Sequence, residues 1–338
     1  MMKKTLSLIF IGILIVIAAV VVPKYLDEYN KSVFKKTVLY IPPDCSYEQM
    51  LDTVAKAVGK MNSFIKVAER SSLNEKFKPG RYIFTPDNCN KDIVRTLIMG
   101  WETPMMLTLS GNIRGLEKLS GILGKKLAVD SSLFVEYFSR EEVWAECGFN
   151  KENFMGMFLP NTYEVYWTIT PQKFVERMKK EYDKFWNVER KAKANEIGLT
   201  PQQVSVLASI VCEETNYAPE MPRIAGVYMN RLNKGMKLDA DPTVKFALGD
   251  PTIKRILFRH LDVDSPYNTY KNQGLPPGPI TIPSIKAIDA VLGYEKHNYL
   301  YFCASPAMDG THRFARTLVE HNRNAREYQS VLNKKKIK

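Results

Sequence analysis

Residues 200–215 read T-P-Q-Q-V-S-V-L-A-S-I-V-C-E-E-T, and this stretch decides what the C-terminal part of the chain is. Thr200, Pro201 and Gln203 make a helix start: a hydroxyl N-cap, a first-turn proline and a capping box. At about 100° per residue, Val204, Leu207, Ile210 and Val211 share one face. Glu214 falls near the middle of that face, whereas Glu213 falls to the side. A carboxylate on a core-facing stripe at a helix C-terminus meets desolvation and the negative end of the helix dipole, and both raise its pKa. That is the tuning a general acid needs near neutral pH. The alternative is that Glu214 marks where the helix emerges into solvent. Helical phase does not separate the two readings.

The 338 residues around this helix leave room for two or three domains, and 45% hydrophobic with 25% charged residues is a globular rather than a disordered balance. Thr5–Val22 is an uncharged apolar run of 18 residues, long enough to span a bilayer core of about 30 Å. Lys3 and Lys4 precede it, so the positive-inside rule puts the N-terminus in the cytoplasm and everything after Pro23 outside. A cleaved signal peptide competes, because Ala18, Ala19 and Val20 are small. The run is longer than the usual signal core and lacks a clean A-x-A ending, which favours an uncleaved, single-pass anchor.

Net charge is +12, with Lys334, Lys335, Lys336 and Lys338 bunched at the C-terminus. Nucleic acid is a poor partner for an exported chain. Anionic lipid head groups or an anionic polymer suit the charge better, and a solvated tail with no partner explains it most simply. The five cysteines (45, 89, 147, 212, 303) lack C-x-x-C spacing and the four histidines lack ligand spacing, so neither a metal site nor a cofactor is expected. Cys45 and Cys89 fall in one small domain and are candidates to pair outside the cytoplasm.

The spacing predicts an α+β chain in five parts: a cytoplasmic tip and anchor (1–23), a polar stalk (24–36), a small module (37–110), a helical connecting region (111–196) and a motif-dense C-terminal domain (197–338). Within the module, Thr37–Ile41 alternates like a strand. Helical stretches follow from Ser46 to Val58 and from Ser63 to Ser71. Lys78–Phe84 turns into a second strand, Asn90–Met99 is helical and Met105–Leu109 is a strand. This β-α-α-β order resembles a LysM-like module, a small fold that often docks on peptidoglycan. The aromatic segment from Gly156 to Trp167 interrupts the helical region; core packing is favoured for it over a sugar groove.

After residue 197, a second helix is predicted over Pro222–Asn233, closed by Gly235, and a third begins at Asp241-Pro242-Thr243. Ser265–Pro283 carries five prolines among polar and aromatic residues, a rigid loop suited to holding side chains beside a site. A helix to Leu292, strands at Tyr299–Phe302 and Arg313–Phe314, and a helix from Leu318 make a mostly helical domain with a small sheet.

Five ordered blocks carry a resemblance: Leu207–Thr215 (L-A-S-I-V-C-E-E-T), Ala225–Val244 (A-G-V-Y-M-N-R-L-N-K-G-M-K-L-D-A-D-P-T-V), Ser265–Ile280 (S-P-Y-N-T-Y-K-N-Q-G-L-P-P-G-P-I), Tyr299–Phe302 (Y-L-Y-F) and His312–Asn322 (H-R-F-A-R-T-L-V-E-H-N). Together they resemble the endolytic murein transglycosylases of the MltG or YceG family, over nearly the whole chain. The resemblance implies a lyase, anchored in the inner membrane with its catalytic domain in the periplasmic or extracytoplasmic space. It would cut MurNAc-β-1,4-GlcNAc bonds within peptidoglycan strands, leave 1,6-anhydro-MurNAc ends, and end strand growth beside peptidoglycan synthases. It puts the catalytic glutamate at Glu214, the residue that helical phase selects independently. Members commonly carry another acid two residues earlier, where this chain has Cys212, so a supporting acid at that position is not expected here.

One carboxylate suffices for such a reaction, because the sugar's own C6 hydroxyl replaces water or an enzyme nucleophile. Tyr267, Asn268 and Tyr270 of the rigid loop are candidates to bind sugar or orient Glu214, followed by Asp241, Thr243, His312 and Phe314. Asp241 also reads as a plain helix cap. His321 and Asn322 read as braces for the last helix, and Asn230 and Arg231 as supporting residues. The competing function is a non-catalytic, peptidoglycan-binding scaffold that recruits cell-wall synthases. A scaffold has no need for an acid on an apolar stripe.

Overall fold

The computed structural model describes residues 2–250, 252–253 and 255–334, with side chains from residue 9 onward. The side chains of Lys3 and Lys4, and residues Lys335, Lys336 and Lys338, lie outside the described residues. The chain divides into two compact units. One holds residues 1–107, 126–129 and 164–170, and the other holds 108–125, 130–163 and 171–338. The expected boundary at 196/197 therefore does not separate compact units.

In the first unit, helix α1 (Met2–Glu28) runs through Pro23. Its stretch Ile9–Glu28 is long and apolar enough to cross a membrane, and none of it is buried. Strand β1 (Thr37–Ile41) pairs antiparallel with β2 (Gly80–Phe84), with Leu39 opposite Tyr82. Alternation aims Leu39, Ile41, Tyr82 and Phe84 inward and leaves Val38 and Tyr40 outside. Helices α2 (Tyr47–Ala55), α3 (Met61–Arg70), α4 (Leu73–Lys76) and α5 (Asn90–Met99) enclose that inner face, contributing Met50, Phe64, Leu73 and Ile93. Ser46 and Gln49 form the capping box that starts α2. The β-α-α-β order thus stands, with one extra turn.

The segment expected as a stalk is partly built into this unit. Residues 24–28 continue α1, Asp27 pairs with Arg70 at 3.2 Å, and Ser32 donates to Asn90 at 2.8 Å. Val33 is buried and bridges to Val58. Cys45 and Cys89 are both free thiols, contrary to the pairing the sequence suggested. The Cys45 thiol donates to the Ser46 carbonyl, while Cys89 forms the N-terminus of α5.

Strand β3 (Met105–Leu109) and strand β4 (Asn161–Val165) pair as a second two-stranded sheet. The second unit contains α6 (Leu116–Lys126), α7 (Ser131–Phe138), α8 (Glu141–Glu146), α9 (Pro171–Phe185) and α10 (Val188–Glu196). Phe134, Phe138, Phe158 and Phe174 stack within it at centroid separations of 5.5–6.5 Å. Phe158 and Tyr163, from the aromatic segment, are buried, whereas Tyr166 is exposed and Trp167 half-buried, so the segment is core in its first part and only in part thereafter.

Helix α11 (Pro201–Glu214) is the axis of this unit, and all nine residues from Val204 to Cys212 are buried. It packs against α12 (Met221–Asn233), α13 (Asp241–Leu248) and α14 (Ile285–Leu292). Burial on every side is what an apolar helix with small polar residues permits. Ser205 bonds the Pro201 carbonyl, and Ser209 bonds Val206 and receives the Ile280 amide. The prolyl loop is thereby tied to the helix. Strands β5 (Tyr301–Ala304) and β6 (His312–Ala315) form an antiparallel hairpin on which α15 (Leu318–Lys334) packs.

Gly278 of the prolyl loop lies so close to the backbone that an added Cβ would sit 1.8 Å from the Glu152 carbonyl oxygen. Because backbone cannot swing aside, Gly278→Ala is expected to cost about 1–3 kcal/mol of stability. Urea unfolding of the full chain in detergent, followed by far-UV circular dichroism, measures this; an unchanged midpoint would contradict the packing described.

Candidate active site

Glu214 is the last residue of α11, and beyond it Thr215 turns to an extended backbone. The core packing that buries α11 carries this carboxyl to the floor of a cleft. Glu214 is half-buried: the cleft leaves it reachable while surrounding protein strips most of its water. The Tyr228 hydroxyl on α12 donates to Glu214 Oε1 at 2.5 Å. Desolvation pushes the Glu214 pKa up to about 7, opposed by the Tyr228 bond and aided by the charges of Asp241 and Glu213. The same burial, with the carboxylate alongside, drives the Tyr228 hydroxyl well above its ordinary value. Tyr228 therefore stays a donor.

The neighbouring carboxylates each have a different partner. Glu213 is held by the Arg114 guanidinium. Asp241 accepts from the Tyr270 hydroxyl at 2.7 Å. Glu220, buried before α12, takes the His312 amide at 3.1 Å and lies 2.8 Å from His312 Nδ1. With Nδ1–H donating to Glu220, Nε2 is left as the free ring nitrogen. Among the described residues, Glu214 has no ion-pair partner.

The cleft has two compartments, of about 530 and 620 Å³, that share Glu214, Ala304 and His312. One is lined by Tyr228, Asp241, Tyr270, Tyr301 and Phe302; the other by Asn216, Tyr217, Met308, Asp309 and Tyr328. Both volumes are typical of ligand sites. Arg231, buried in α12, donates to the carbonyls of Leu300, Lys237 and Leu238 and to Asp239. Asn230 donates to the carbonyls of His297 and Tyr299. These two residues hold β5 and the 237–239 loop at the cleft wall.

The structure thus brings together Glu214, Asp241, Tyr270 and His312, and sets the other candidates apart. Asn268 is fully buried and clasps the Leu261 and Val263 carbonyls, a loop brace. Thr243 is buried against Thr269 and the Ala240 carbonyl. Tyr267 packs on Phe246, with a centroid separation of 4.7 Å, and Phe314 packs on Phe302 and Tyr299. None of these four lines the cleft. Asp241 does not cap its helix: Ala240 occupies the N-cap and Asp241 is the first helical residue. Its carboxylate is therefore available to Tyr270. Cys212 donates to Asn112 Oδ1 at 3.3 Å, away from the cleft. His321 stacks on Tyr301 and lines the cleft, and Asn322 is exposed.

Sequence reasoning missed Tyr228 and Glu220 as site residues. Tyr228 carried a signal, since its hydroxyl rides an apolar stripe and a buried phenol needs a partner. Glu220 carried none. Its meeting with His312 spans 92 positions.

Comparison with known proteins fixes the class. Residues 39–327 match the YceG-like family, and the chain belongs to that family. An endolytic murein transglycosylase of Bacillus subtilis strain 168 is 43% identical over 129 residues, which are 38% of this chain and 35% of that protein. One from Streptococcus pneumoniae strain R6 is 30% identical over 177 residues, 51% of this chain and 32% of that protein. The matches thus span about a third of the length of these curated relatives. The crystal structure of a yceG-like protein from Listeria monocytogenes superposes with a TM-score of 0.57 at 26% identity, covering 86% of this chain and 98% of that one.

Folding raises the Glu214 pKa from 4.5 to about 7, so between these values the folded chain holds a proton that the unfolded chain releases. The stability from this linkage is complete below the lower value and is lost as pH rises through the upper one. Glu214→Gln cannot ionise. It should gain stability relative to the wild type as pH rises across that window, by at most about 3 kcal/mol. Urea midpoints measured across the window test this, and parallel curves would refute it. Tyr228→Phe removes a bond to the charged form and should move the Glu214 titration further up, read by carboxyl carbon NMR.

Proposed function

We propose that this chain is a membrane-anchored endolytic peptidoglycan transglycosylase that cleaves MurNAc-β-1,4-GlcNAc bonds without water. The observation that carries this reading is Glu214, a carboxyl with a pKa near 7 at the junction of two cleft compartments. An acid between two compartments suits a bond with sugars on both sides, as endolytic cleavage requires. The names of the B. subtilis and S. pneumoniae relatives support the substrate class.

In the proposed reaction, protonated Glu214 donates to the glycosidic oxygen as the C1–O4 bond breaks. The MurNAc C6 hydroxyl then attacks C1, and its proton passes to the Glu214 carboxylate. The 1,6-anhydro ring closes and the acid is restored. A pKa near neutrality serves both transfers, and the intramolecular attack gains from proximity. Tyr228 orients the carboxyl. Tyr270 with Asp241, His312 held by Glu220, and the rings of Tyr301 and Phe302 offer hydrogen bonds and stacking faces to sugar. Ordinary hydrolysis is the second reading, favoured by Asp241 in the same compartment, because hydrolases use two carboxylates.

Helix α1 serves as the inner-membrane anchor in this proposal, with a cytoplasmic N-terminus and both units outside. The β-α-α-β part of the first unit acts as a LysM-like dock for glycan, and ending of strand growth beside synthases is the biological role. Incubating the full chain with uncrosslinked glycan strands and analysing the products by mass spectrometry tests the chemistry. Anhydro-MurNAc ends are expected, and reducing-end MurNAc would establish hydrolysis instead. Glu214→Gln should lower turnover by at least about 10²-fold, and kcat/KM of the wild type should fall as pH rises through about 7.

A further inference from the structure

The end of α1 is not a free tether. The Asp27 carboxylate pairs with Arg70 and receives the Ser63 hydroxyl at 3.0 Å, the Asp27 carbonyl receives Asn90 Nδ2 at 2.9 Å, and Glu28 pairs with Lys91 at 3.2 Å. At 1.5 Å of rise per residue, Glu28 stands about 9 Å beyond Val22, where the uncharged run ends. Bilayer headgroup regions are roughly 5–8 Å deep on each side. The side chains of α3 and α5 that grip α1 at Asp27 and Glu28 are thus at the outer edge of the headgroup layer, within reach of lipid phosphates for long cationic side chains.

Two grooves flank this junction. One is lined by Asp27, Lys60 and Lys66 among others, and the other by Glu28, Arg70, Lys91 and Arg95. Together they carry five cations against two acids. Lys66 and Arg70 are one turn apart on α3, as are Lys91 and Arg95 on α5. The two acids are consumed by Arg70 and Lys91, whereas the Arg95 guanidinium lies 5.1 Å over the Trp101 ring. Trp101 and Met99 are 51% and 55% exposed, and Tyr25 and Tyr29 are exposed at the end of α1 with their rings 4.5 Å apart. Such a belt of amphipathic rings beside cations that have no ion-pair partner among the described residues is the composition of a membrane–water interface.

We propose that this face of the first unit is a docking surface for anionic phospholipid headgroups around the exit of α1, with Lys66 and Arg95 taking lipid phosphates and Trp101 seated in the interfacial zone. The inference rests on α1 being a membrane anchor. Negative surface charge close to the bilayer is what such cations select, within a Debye length. The unit is then held to the membrane by a helix and a face.

The full chain in lipid nanodiscs of phosphatidylcholine with phosphatidylglycerol tests this by tryptophan quenching. A brominated analogue of either lipid is introduced at equal mole fraction, and the difference between wild type and Trp101→Phe isolates Trp101 emission. Brominated phosphatidylglycerol should quench that emission at least about twofold more than brominated phosphatidylcholine. A double replacement of Lys66 and Arg95 by Glu should erase the difference. Equal quenching of wild type and Trp101→Phe, or no preference between the lipids, would overturn the proposal. Retention of the chain in the nanodisc fraction reports on the anchor separately, so loss of the helix and failure of the surface are distinguishable.

Discussion

The hydrogen bond from Tyr228 to Glu214 joins the ends of two purposes in this fold. Helix α11 is buried on all sides because the core of the second unit is built around it. A helix so placed delivers its final side chain to the floor of a cleft, where the surrounding protein desolvates it while leaving it reachable. Tyr228, on the next helix, meets that side chain and limits the cost, since a half-buried carboxyl without any donor is expensive to ionise. The bond leaves the acid poised rather than locked in one state.

The surrounding carboxylates show how the poise is maintained. Glu213 has a guanidinium, Asp241 a phenol, and Glu220 an imidazole and a backbone amide. Each of these partners holds its carboxylate in place beside the cleft, and the negative charges of Glu213 and Asp241 push Glu214 further toward its protonated form. One acid is thereby separated in behaviour from three neighbours of the same chemistry. Arg231 contributes at one remove, because its four hydrogen bonds hold the strand and loop that wall the cleft.

Local signals in the chain were strong where they depended on backbone chemistry. Thr200 with Gln203 and the Thr37–Ile41 alternation each specified an element that formed as read, because caps and pleats act over three or four residues. The prolyl loop was legible as rigid, but its inner workings were not. Tyr267 and Asn268 looked like site residues because polar aromatics in a stiff loop suggest display. Packing turned them inward instead, and the loop projects Tyr270 alone into the cleft. The 156–167 segment was ambiguous from aromatic content, and burial of Phe158 and Tyr163 resolved its first part as core.

By itself the sequence placed Glu214 on the Val204, Leu207, Ile210 and Val211 face of its helix and Glu213 to the side, because 3.6-residue periodicity is a property of the backbone. With α11 buried on every side, phase alone did not decide which of the two the core desolvates. It also determined the apolar N-terminal helix and the order of elements in the 37–110 module, but not strand β4 (Asn161–Val165), which lies in a region read as helical. Tertiary structure alone decided what Glu214 meets. Tyr228, Asp241 with Tyr270, and His312 with Glu220 converge from five separate segments, and which side chains share a pocket depends on how helices pack rather than on how they are spelled. Desolvation is likewise a sum over everything nearby. The direction of the Glu214 shift was therefore readable from one helix, while its partners and the two-compartment cleft around it required the whole unit.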